Sequence, residues 1–253
     1  MSVPATPAAA AAADAPRRAA EPTRRRRTYD VRPWHRDYFA VKHVGVFLND
    51  RLRAHVRAGS RVLDVGCGEQ PLREAVEARG GRYVPVDLAR GSGLPQVVGS
   101  ALALPVRSAA FEVVLCSEVL EHVADAGVAL AELARAVCPG GCILVTVPFL
   151  YPLHEEPLDF ARLTPHYVAL AAIRLGLQVE EVSKTGDELE VVATILDNMA
   201  IRALRPGAGV LRRGLGVAWR VLVNALAIGA GGVLAGWMPR KAFLNVVAVL
   251  RRP

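Results

Sequence analysis

The amino-acid sequence predicts an α/β fold, a Rossmann-like, doubly wound and mostly parallel sheet of seven strands with helices on both faces. Short apolar runs alternate along the chain with longer segments of helical periodicity, as in a sheet whose strands are joined by helices. One such run, at residues 62–65, leads directly into Gly66-Cys67-Gly68. Of the 253 residues, 52% are apolar, which is enough for the core of one such domain.

The elements follow from these patterns in chain order. A first helix is predicted over residues 36–57, where the apolar side chains fall on one stripe. A later helix should begin at Thr164-Pro165, a good N-cap and first helical position, and end near Gly176. Strands are predicted over residues 61–65, 82–86, 95–98, 111–115, 142–147, 177–182 and 243–250, and further helices over 70–79 and 119–137. Because ligands of such sheets bind at the carboxyl ends of the strands, we expect the functional residues there.

The chain divides into a tail and one domain. Residues 1–28 are rich in Ala, Pro and Arg and are predicted to be disordered, and residues 29–253 form the domain, with a helical insertion at 186–240 before the last strand. The tail carries six Arg and two acidic residues (6 − 2 = +4), so the rest of the chain contributes +3 of the net charge of +7. This distribution argues against a fold that binds specific nucleic-acid sequences. The tail lacks the long apolar core of a secretory signal, and we expect a cytoplasmic protein.

Cysteine and histidine spacing predicts no metal site. None of the four cysteines forms a C-x-x-C pair and the six histidines are scattered, so we expect reduced thiols and no metal.

Residues 221–238 contain no charged side chain over eighteen positions. Three interpretations remain open for them: a membrane span, a helix on the membrane surface or over the substrate, and a buried core helix. The membrane-surface interpretation implies peripheral membrane contact through residues 217–238, with attraction of the Arg-rich tail to anionic lipid.

The end of the first strand carries the chemistry. Gly66 and Gly68 allow a sharp turn and close approach of a ligand, and the helix that follows offers free N–H groups. A dinucleotide site would need a third glycine where Pro71 stands, and Asp64 would repel a diphosphate. Asp64 suits a ligand with an ammonium group, which favours S-adenosylmethionine (SAM) over NAD. Asp87, at the end of the second strand, can accept hydrogen bonds from both hydroxyls of a ribose.

Further motifs resemble the class I SAM-dependent methyltransferase superfamily, close to its type 11 members. The resemblance covers residues 60–185 and rests on Asp64-Val65-Gly66-Cys67-Gly68, Val86-Asp87, Ser100-Ala101-Leu102-Ala103-Leu104-Pro105-Val106, residues 111–122 (FEVVLCSEVLEH) and residues 139–144 (PGGCIL). It implies SAM as cofactor, bound by Asp64, Gly66, Cys67, Gly68, Asp87, Leu88, Ser100, Ala101, Leu102, Cys116 and Ser117. Ser100 departs from the family, which usually has Asp there to bind the adenine amino group. The main chain of Ala101 and Leu102 could still bind the adenine.

Residues 147–165 resemble a segment of bacterial members tied to cell-envelope or polysaccharide chemistry. The segment follows the fifth strand, so it should cover the methyl group of SAM. The resemblance makes Tyr151, His154, Asp159 and Arg162 candidates for substrate binding. Alternatively, Asp159 and Arg162 form an ion pair that fixes the loop, and His154 only hydrogen-bonds within it. His154 and His122 are the candidate general bases, with packing beside the SAM pocket as the alternative for His122.

The sequence therefore predicts a SAM-dependent methyltransferase that acts on a small-molecule or lipid-linked, cell-envelope acceptor, without fixing its oligomeric state. A non-catalytic SAM-binding or membrane-scaffold protein and an NAD-dependent oxidoreductase are the alternatives. A nucleic-acid methyltransferase is disfavoured, because residues 116–119 (CSEV) stand where an N/D-P-P-Y/F motif would follow the fourth strand.

Overall fold

A seven-stranded sheet forms the centre of the computed structural model, which describes residues 29–88, 97–203, 210–234, 237 and 241–253. Within these residues the strands are β1 (Arg61–Val65), β2 (Arg82–Asp87), β3 (Val97–Val98), β4 (Phe111–Ser117), β5 (Val137–Pro148), β6 (Gln178–Thr185) and β7 (Asn245–Arg251). Their order across the sheet is β3-β2-β1-β4-β5-β7-β6. β7 runs antiparallel to its two neighbours, β5 and β6, and the other strand pairs of the described sheet are parallel. The predicted fold class is confirmed.

The strand order reverses between β1 and β4, which creates the switch point where such sheets bind ligands. The chain passes from β1 outward to β2 and β3, and then returns to β4 on the other side of β1. Val65, the last residue of β1, pairs with both Val86 and Cys116. The ends of three neighbouring strands therefore lie level with one another at this point.

Helices cover both faces of the sheet. In chain order they are α1 (Tyr38–His55), α2 (Arg73–Glu77), α3 (Ala126–Ala136), α4 (Pro165–Arg174), α5 (Glu188–Ala203) and α6 (Val210–Leu234), with a 3₁₀ helix at Leu120–His122. The alternation of side chains along β1 sends Leu63 to one face, where it packs in a core with Leu130 of α3, and Val62 to the other, with Leu48 of α1. All four are fully buried, and each contributes roughly 1.5–3 kcal/mol relative to exposure.

Two predicted helices differ from the structure. The continuous helix predicted over 119–137 is wrong: the 3₁₀ helix is followed by a break, and α3 starts at Ala126. Asp125 causes the restart, because its carboxylate accepts hydrogen bonds from the N–H groups of Gly127 and Val128 at 2.9 and 3.0 Å. The helix predicted over 70–79 is shorter, at Arg73–Glu77.

One predicted boundary agrees with the structure and another does not. α4 begins as expected, with the Thr164 hydroxyl accepting a hydrogen bond from the Tyr167 N–H at 3.1 Å. β5 starts five residues earlier than predicted, at Val137, so Pro139, Gly140 and Gly141 lie within the strand. The predicted tail at residues 1–28 lies outside the described residues.

The insertion at 186–240 contains α5 and α6, in agreement with its predicted helical character. Val191 and Ala193 of α5 pack with Val223 of α6 in a third core, which also includes Phe39 of α1 and Leu244 just before β7. The insertion is therefore attached to the domain through a small apolar core of its own.

Candidate active site

The turn after β1 depends on the absence of a side chain at Gly66. This residue has a φ of +72°, and a Cβ atom there would collide with the Val119 methyl group Cγ2. The N–H groups of Gly66 and Cys67 both donate to the carbonyl of Val86, at 2.8 and 3.1 Å. These two bonds hold the turn against the end of β2.

Gly68 borders open space. It also has a positive φ of +49°, and a Cβ atom built on it would meet nothing within 4 Å. Its N–H donates to Asp87 Oδ2 at 2.9 Å. The predicted ribose acceptor, Asp87, is thus held in place by the glycine turn and is 7% exposed. A carboxylate can accept about four hydrogen bonds, of which the Gly68 N–H supplies one.

Asp64 is buried beneath the turn and has a partner that the sequence did not predict. The hydroxyl of Tyr83, on the neighbouring strand β2, donates to Asp64 Oδ2. Burial raises the pKa of Asp64 to about 7, although the hydrogen bond from Tyr83 acts in the opposite direction. The carboxyl is 3% exposed and changes its charge near neutral pH.

A chain of hydroxyl groups lies at the ends of β4 and β5. Thr146 Oγ1 donates to Glu118 Oε1 at 2.9 Å, so it accepts from Ser117 Oγ, also 2.9 Å away. Ser117 in turn accepts from the hydroxyl of Tyr29 at 3.0 Å. Glu118 has a φ of +54°, an uncommon conformation for a residue other than glycine. The predicted cofactor residue Ser117 is therefore part of a directed network that sequence patterns did not reveal, because its members come from three separate segments.

The remaining predicted cofactor residues differ in accessibility. Ser100 Oγ accepts a hydrogen bond from the Leu102 N–H at 3.1 Å, which turns the backbone around Ala101. Leu88 is 54% exposed, whereas Cys116 has no exposed surface and Cys67 only 2%. Burial also raises the pKa of the Cys116 thiol well above its usual value. In this conformation Cys116 supports the core and offers no surface to a ligand.

The loop between β5 and α4 contains the predicted ion pair. Arg162 binds both carboxylate oxygens of Asp159, with Nη1–Oδ1 at 2.5 Å and Nη2–Oδ2 at 2.7 Å. Burial alone would raise the pKa of Asp159, but the hydrogen bonds from Arg162 and from the His154 N–H outweigh it and lower the pKa to about 2. The Asp159 side chain is 1% exposed. The geometry matches the structural alternative for this pair, a bidentate bridge that fixes the loop.

His154 and His122 lie next to each other. Their ring centroids are 4.7 Å apart, and the ring of Tyr151 is 5.2 Å from that of His154. His154 Nδ1 lies 3.2 Å from Asp159 Oδ2. Burial, followed by the charge of His122, lowers the pKa of His154, so its imidazole is neutral at pH 7 and can accept a proton. The Tyr151 hydroxyl donates to Asp37 Oδ1 at 2.7 Å.

Glu121 adds a buried carboxyl group beside the two histidines. It is fully buried, and neither oxygen has a hydrogen-bond partner among the described residues. Burial raises its pKa well above the usual value. One oxygen of Glu121 and one nitrogen each of His122 and His154 lie within 4.8 Å of one another, a donor set that could hold a divalent cation. The sequence predicted no metal because it contains no C-x-x-C pair and its six histidines are scattered. The fold brings His154 next to His122, which their spacing did not indicate.

A cavity of about 510 Å³ opens between this loop and α5. Apolar side chains supply much of its lining, namely Leu150, Leu153, Phe160 and Ile195. Tyr151 and the Asp159–Arg162 pair line it as well. The cavity thus combines an apolar wall with a few polar groups, which is typical of a small-molecule site.

Comparison with known proteins supports the assignment of the strand-end site. Residues 63–145 match the family model of a methyltransferase domain. The ubiquinone biosynthesis O-methyltransferases of Idiomarina loihiensis and Hahella chejuensis are 37% and 38% identical to this chain over 99 and 117 residues. The alignments cover 34% and 40% of this chain and 41% and 47% of those relatives. The chain therefore spans less than half the length of the curated relatives that it matches.

Solved structures share the fold over most of the chain. The [4+2]-cyclase SpnF has a TM-score of 0.57 at 15% identity, covering 89% of this chain and 86% of the cyclase. A putative sarcosine dimethylglycine methyltransferase from Galdieria sulphuraria has a TM-score of 0.56 at 13% identity, with 84% and 88% covered. At these identities the likeness shows the fold alone.

The family match is confined to residues 63–145, about a third of the chain. This segment contains the glycine turn, Asp87 and the end of β4, so the residues at the switch point of the sheet lie within the part that matches a methyltransferase domain.

Proposed function

We propose that the protein transfers a methyl group from SAM to a hydroxyl group of an amphiphilic, lipid-linked or cell-envelope acceptor. The observation that carries this proposal is the match of residues 63–145 to a methyltransferase domain, with the glycine turn and Asp87 placed at the switch point of the sheet. The curated relatives named above are O-methyltransferases, which favours oxygen as the methylated atom.

The strand ends fit the cofactor. The open space beside Gly68 leaves room for a ligand to approach the backbone, and a side chain there would fill it. Asp87 would accept hydrogen bonds from the ribose, and Asp64 would attract the ammonium group of the methionine part. SAM supplies an activated methyl group on a sulfonium, so the protein need only align the acceptor, exclude water and remove a proton.

His154 is the residue best placed to remove that proton. Its imidazole is neutral at pH 7, and the Asp159 carboxylate 3.2 Å from Nδ1 stabilises the positive charge that proton uptake creates. The Asp159–Arg162 bridge fixes the orientation of this carboxylate. Asp159 and Arg162 thus act as positioning residues for the base.

The cavity beside the base favours an acceptor with an apolar part. Leu150, Leu153 and Ile195 give it an apolar wall, while His154 lies in the loop that forms one side. A polar head carrying the hydroxyl would lie near His154, and an apolar chain would extend along the wall towards α5.

Two measurements test the proposal. Calorimetry of the full chain with S-adenosylhomocysteine should give a saturable heat signal, and radiolabelled SAM should label a component of a cell-envelope lipid extract. His154→Ala should lower turnover by about 10²–10⁴-fold while the heat of cofactor binding persists. Ile173→Ala, an exposed α4 position away from the cavity, serves as the matched control. No heat with the folded protein refutes the cofactor assignment, and unchanged turnover of His154→Ala removes the proposed base.

A second candidate function is SAM binding without methyl transfer. One observation favours it: the similar fold of SpnF belongs to a [4+2]-cyclase, so the fold does not dictate the reaction. Cofactor heat without methyl transfer to the lipid extract or to a panel of phenols would support this alternative.

A further inference from the structure

We propose that the outer face of α6, with its continuation on α5, docks in the plane of a lipid bilayer that contains anionic phospholipid. The docking itself is independent of the chemistry of the active site. Its role in delivering a lipid-linked acceptor rests on the proposed function.

The outer face of α6 is unusually apolar and exposed. Residues 214–234 are long and apolar enough to cross a membrane, yet only 17% of the most apolar window is buried. Leu222, Leu226 and Val233 are 53%, 62% and 79% exposed. They follow one another at intervals of four and seven residues, which places them on one side of the helix. A contiguous apolar stripe of this kind marks a contact with a protein or a membrane.

The inner face of α6 is attached to the domain, which decides how the helix meets a bilayer. Val223 and Ala227 are each 7% exposed and pack in the third core. Asn224 Nδ2 donates to the carbonyl of Pro33 at 2.7 Å, and Arg220 Nε lies 2.9 Å from both carboxylate oxygens of Asp197. A helix that crossed the bilayer would lose all of these contacts. The structure therefore favours a helix lying in the interface, with its outer face in the acyl boundary.

The charges around this helix favour an anionic surface. From residue 198 to residue 241 the sequence contains seven Lys and Arg residues and no Asp or Glu, and one of the seven, Arg220, is paired with Asp197. Basic residues near an anionic membrane are attracted to its headgroups. Trp219 and Trp237 are 40% and 88% exposed, and Trp side chains are enriched at the level of the headgroups.

The same surface continues to the acceptor cavity. Ile195 of α5 lines the cavity and is itself 40% exposed, and Met199, one turn further along α5, is 63% exposed. An amphiphile could thus pass from the bilayer along α5 without exposing its apolar part to water. The apolar surface that leads from α6 along α5 to the cavity favours a lipid partner. A second copy of the chain bound to this surface would cover the approach to the cavity.

Flotation of the full chain with vesicles tests the proposal. Wild-type protein should float with phosphatidylcholine vesicles that contain phosphatidylglycerol, less with phosphatidylcholine alone, and less at high salt. The double variant Leu222→Ser/Leu226→Ser should lose at least about tenfold in bound fraction. The double variant Leu170→Ser/Ile173→Ser is the matched control, because these α4 residues are similarly exposed (47% and 64%) on another part of the domain. It should float as the wild type does.

Tryptophan fluorescence and light scattering make the outcome decisive. Vesicles should shift the emission of the wild type to shorter wavelength, and Trp237→Phe should reduce this shift. The proposal is overturned if the wild type does not float at low salt, or if both double variants float equally. It is also overturned if the wild type is a dimer that becomes monomeric in Leu222→Ser/Leu226→Ser and neither protein binds vesicles. Persistent flotation without S-adenosylhomocysteine heat would sink the proposed function and leave the docking surface standing.

Discussion

Replacing Asp64 with Asn should change how the stability of the protein depends on pH. The folded-state pKa of Asp64, about 7, lies above the ordinary value of 3.8, so the folded protein keeps the proton over this range and the unfolded chain does not. The stabilisation is complete below pH 3.8 and is lost as pH rises through 7. At about 1.4 kcal/mol per pH unit, the interval from 3.8 to about 7 corresponds to a loss of roughly 4 kcal/mol as an upper bound. The amide that replaces the carboxyl group cannot ionise, but its oxygen can still accept the Tyr83 hydrogen bond, so the variant should escape this loss.

Urea unfolding of the cofactor-free protein at intervals from pH 4 to pH 8 provides the assay. The difference in unfolding free energy between Asp64→Asn and wild type isolates Asp64 from every other titrating group. This difference should grow in favour of the variant as pH rises and should level off above pH 7. Tyr83→Phe is the control, because loss of the hydrogen bond that lowers the Asp64 pKa should move the transition to higher pH. Parallel pH profiles for wild type and Asp64→Asn would refute the reasoning.

The titration of Asp64 also predicts how the affinity for S-adenosylhomocysteine depends on pH. An ammonium group beside Asp64 favours the ionised carboxylate, so S-adenosylhomocysteine should bind wild type more tightly as pH rises, by up to about tenfold per unit below pH 7. Binding at pH 6 should release a proton, which calorimetry in two buffers of different ionisation enthalpy detects. Asp64→Asn should bind more weakly and without this proton release. Equal proton release by both proteins would show that Asp64 does not contact the ammonium group.

Three further substitutions have defined outcomes. Gly66→Ala places a Cβ atom against Val119 at a positive φ, so it should lower the unfolding free energy by about 2–3 kcal/mol. The variant should also give no heat signal with S-adenosylhomocysteine. Normal binding would contradict the proposed role of the turn. Asp125→Ala removes the N-cap of α3 and should cost about 1 kcal/mol in urea unfolding, whereas Asp125→Asn should cost much less. Arg162→Ala leaves the Asp159 carboxylate buried without its partner and should cost about 3 kcal/mol; a loss below about 1 kcal/mol would mean that the bridge does not fix the loop.

Sequence patterns predicted the strand ends better than the contacts between them. Gly66 and Asp87 can be recognised in the sequence because turn chemistry and strand periodicity are local properties. In the structure, the N–H of Gly68, in the same turn as Gly66, donates to Asp87. Tyr83 gave no such signal: as an apolar residue in a strand it was indistinguishable from core, and its hydroxyl matters only because β2 pairs beside β1. The Asp125 cap was likewise missed, since helical periodicity continues on both sides of it.

The grouping of Glu121, His122 and His154 shows the same limit at the site itself. Glu121 and His122 are adjacent in sequence, but His154 reaches them only because the loop after β5 folds back across the 3₁₀ helix, where the Phe160 N–H donates to the Glu121 carbonyl at 2.8 Å. Local patterns cannot show such a return of the chain. They identified both histidines as candidate bases without showing that the two rings are in contact.

The predicted cofactor site and the proposed acceptor site lie in different parts of the chain. The segment at 63–145 that matches the methyltransferase-domain family contains the glycine turn, Asp87 and the end of β4, and thus the predicted cofactor contacts. The loop at 149–162 and Ile195, which line the cavity, lie outside that segment, as do α5 and α6. The matched segment does not contain the cavity, so the acceptor has to be inferred from the second part. Its apolar cavity and its exposed helical face both favour a molecule with one polar end and one lipid-like end, and this agreement between two separate features is the main physical argument for that class of acceptor.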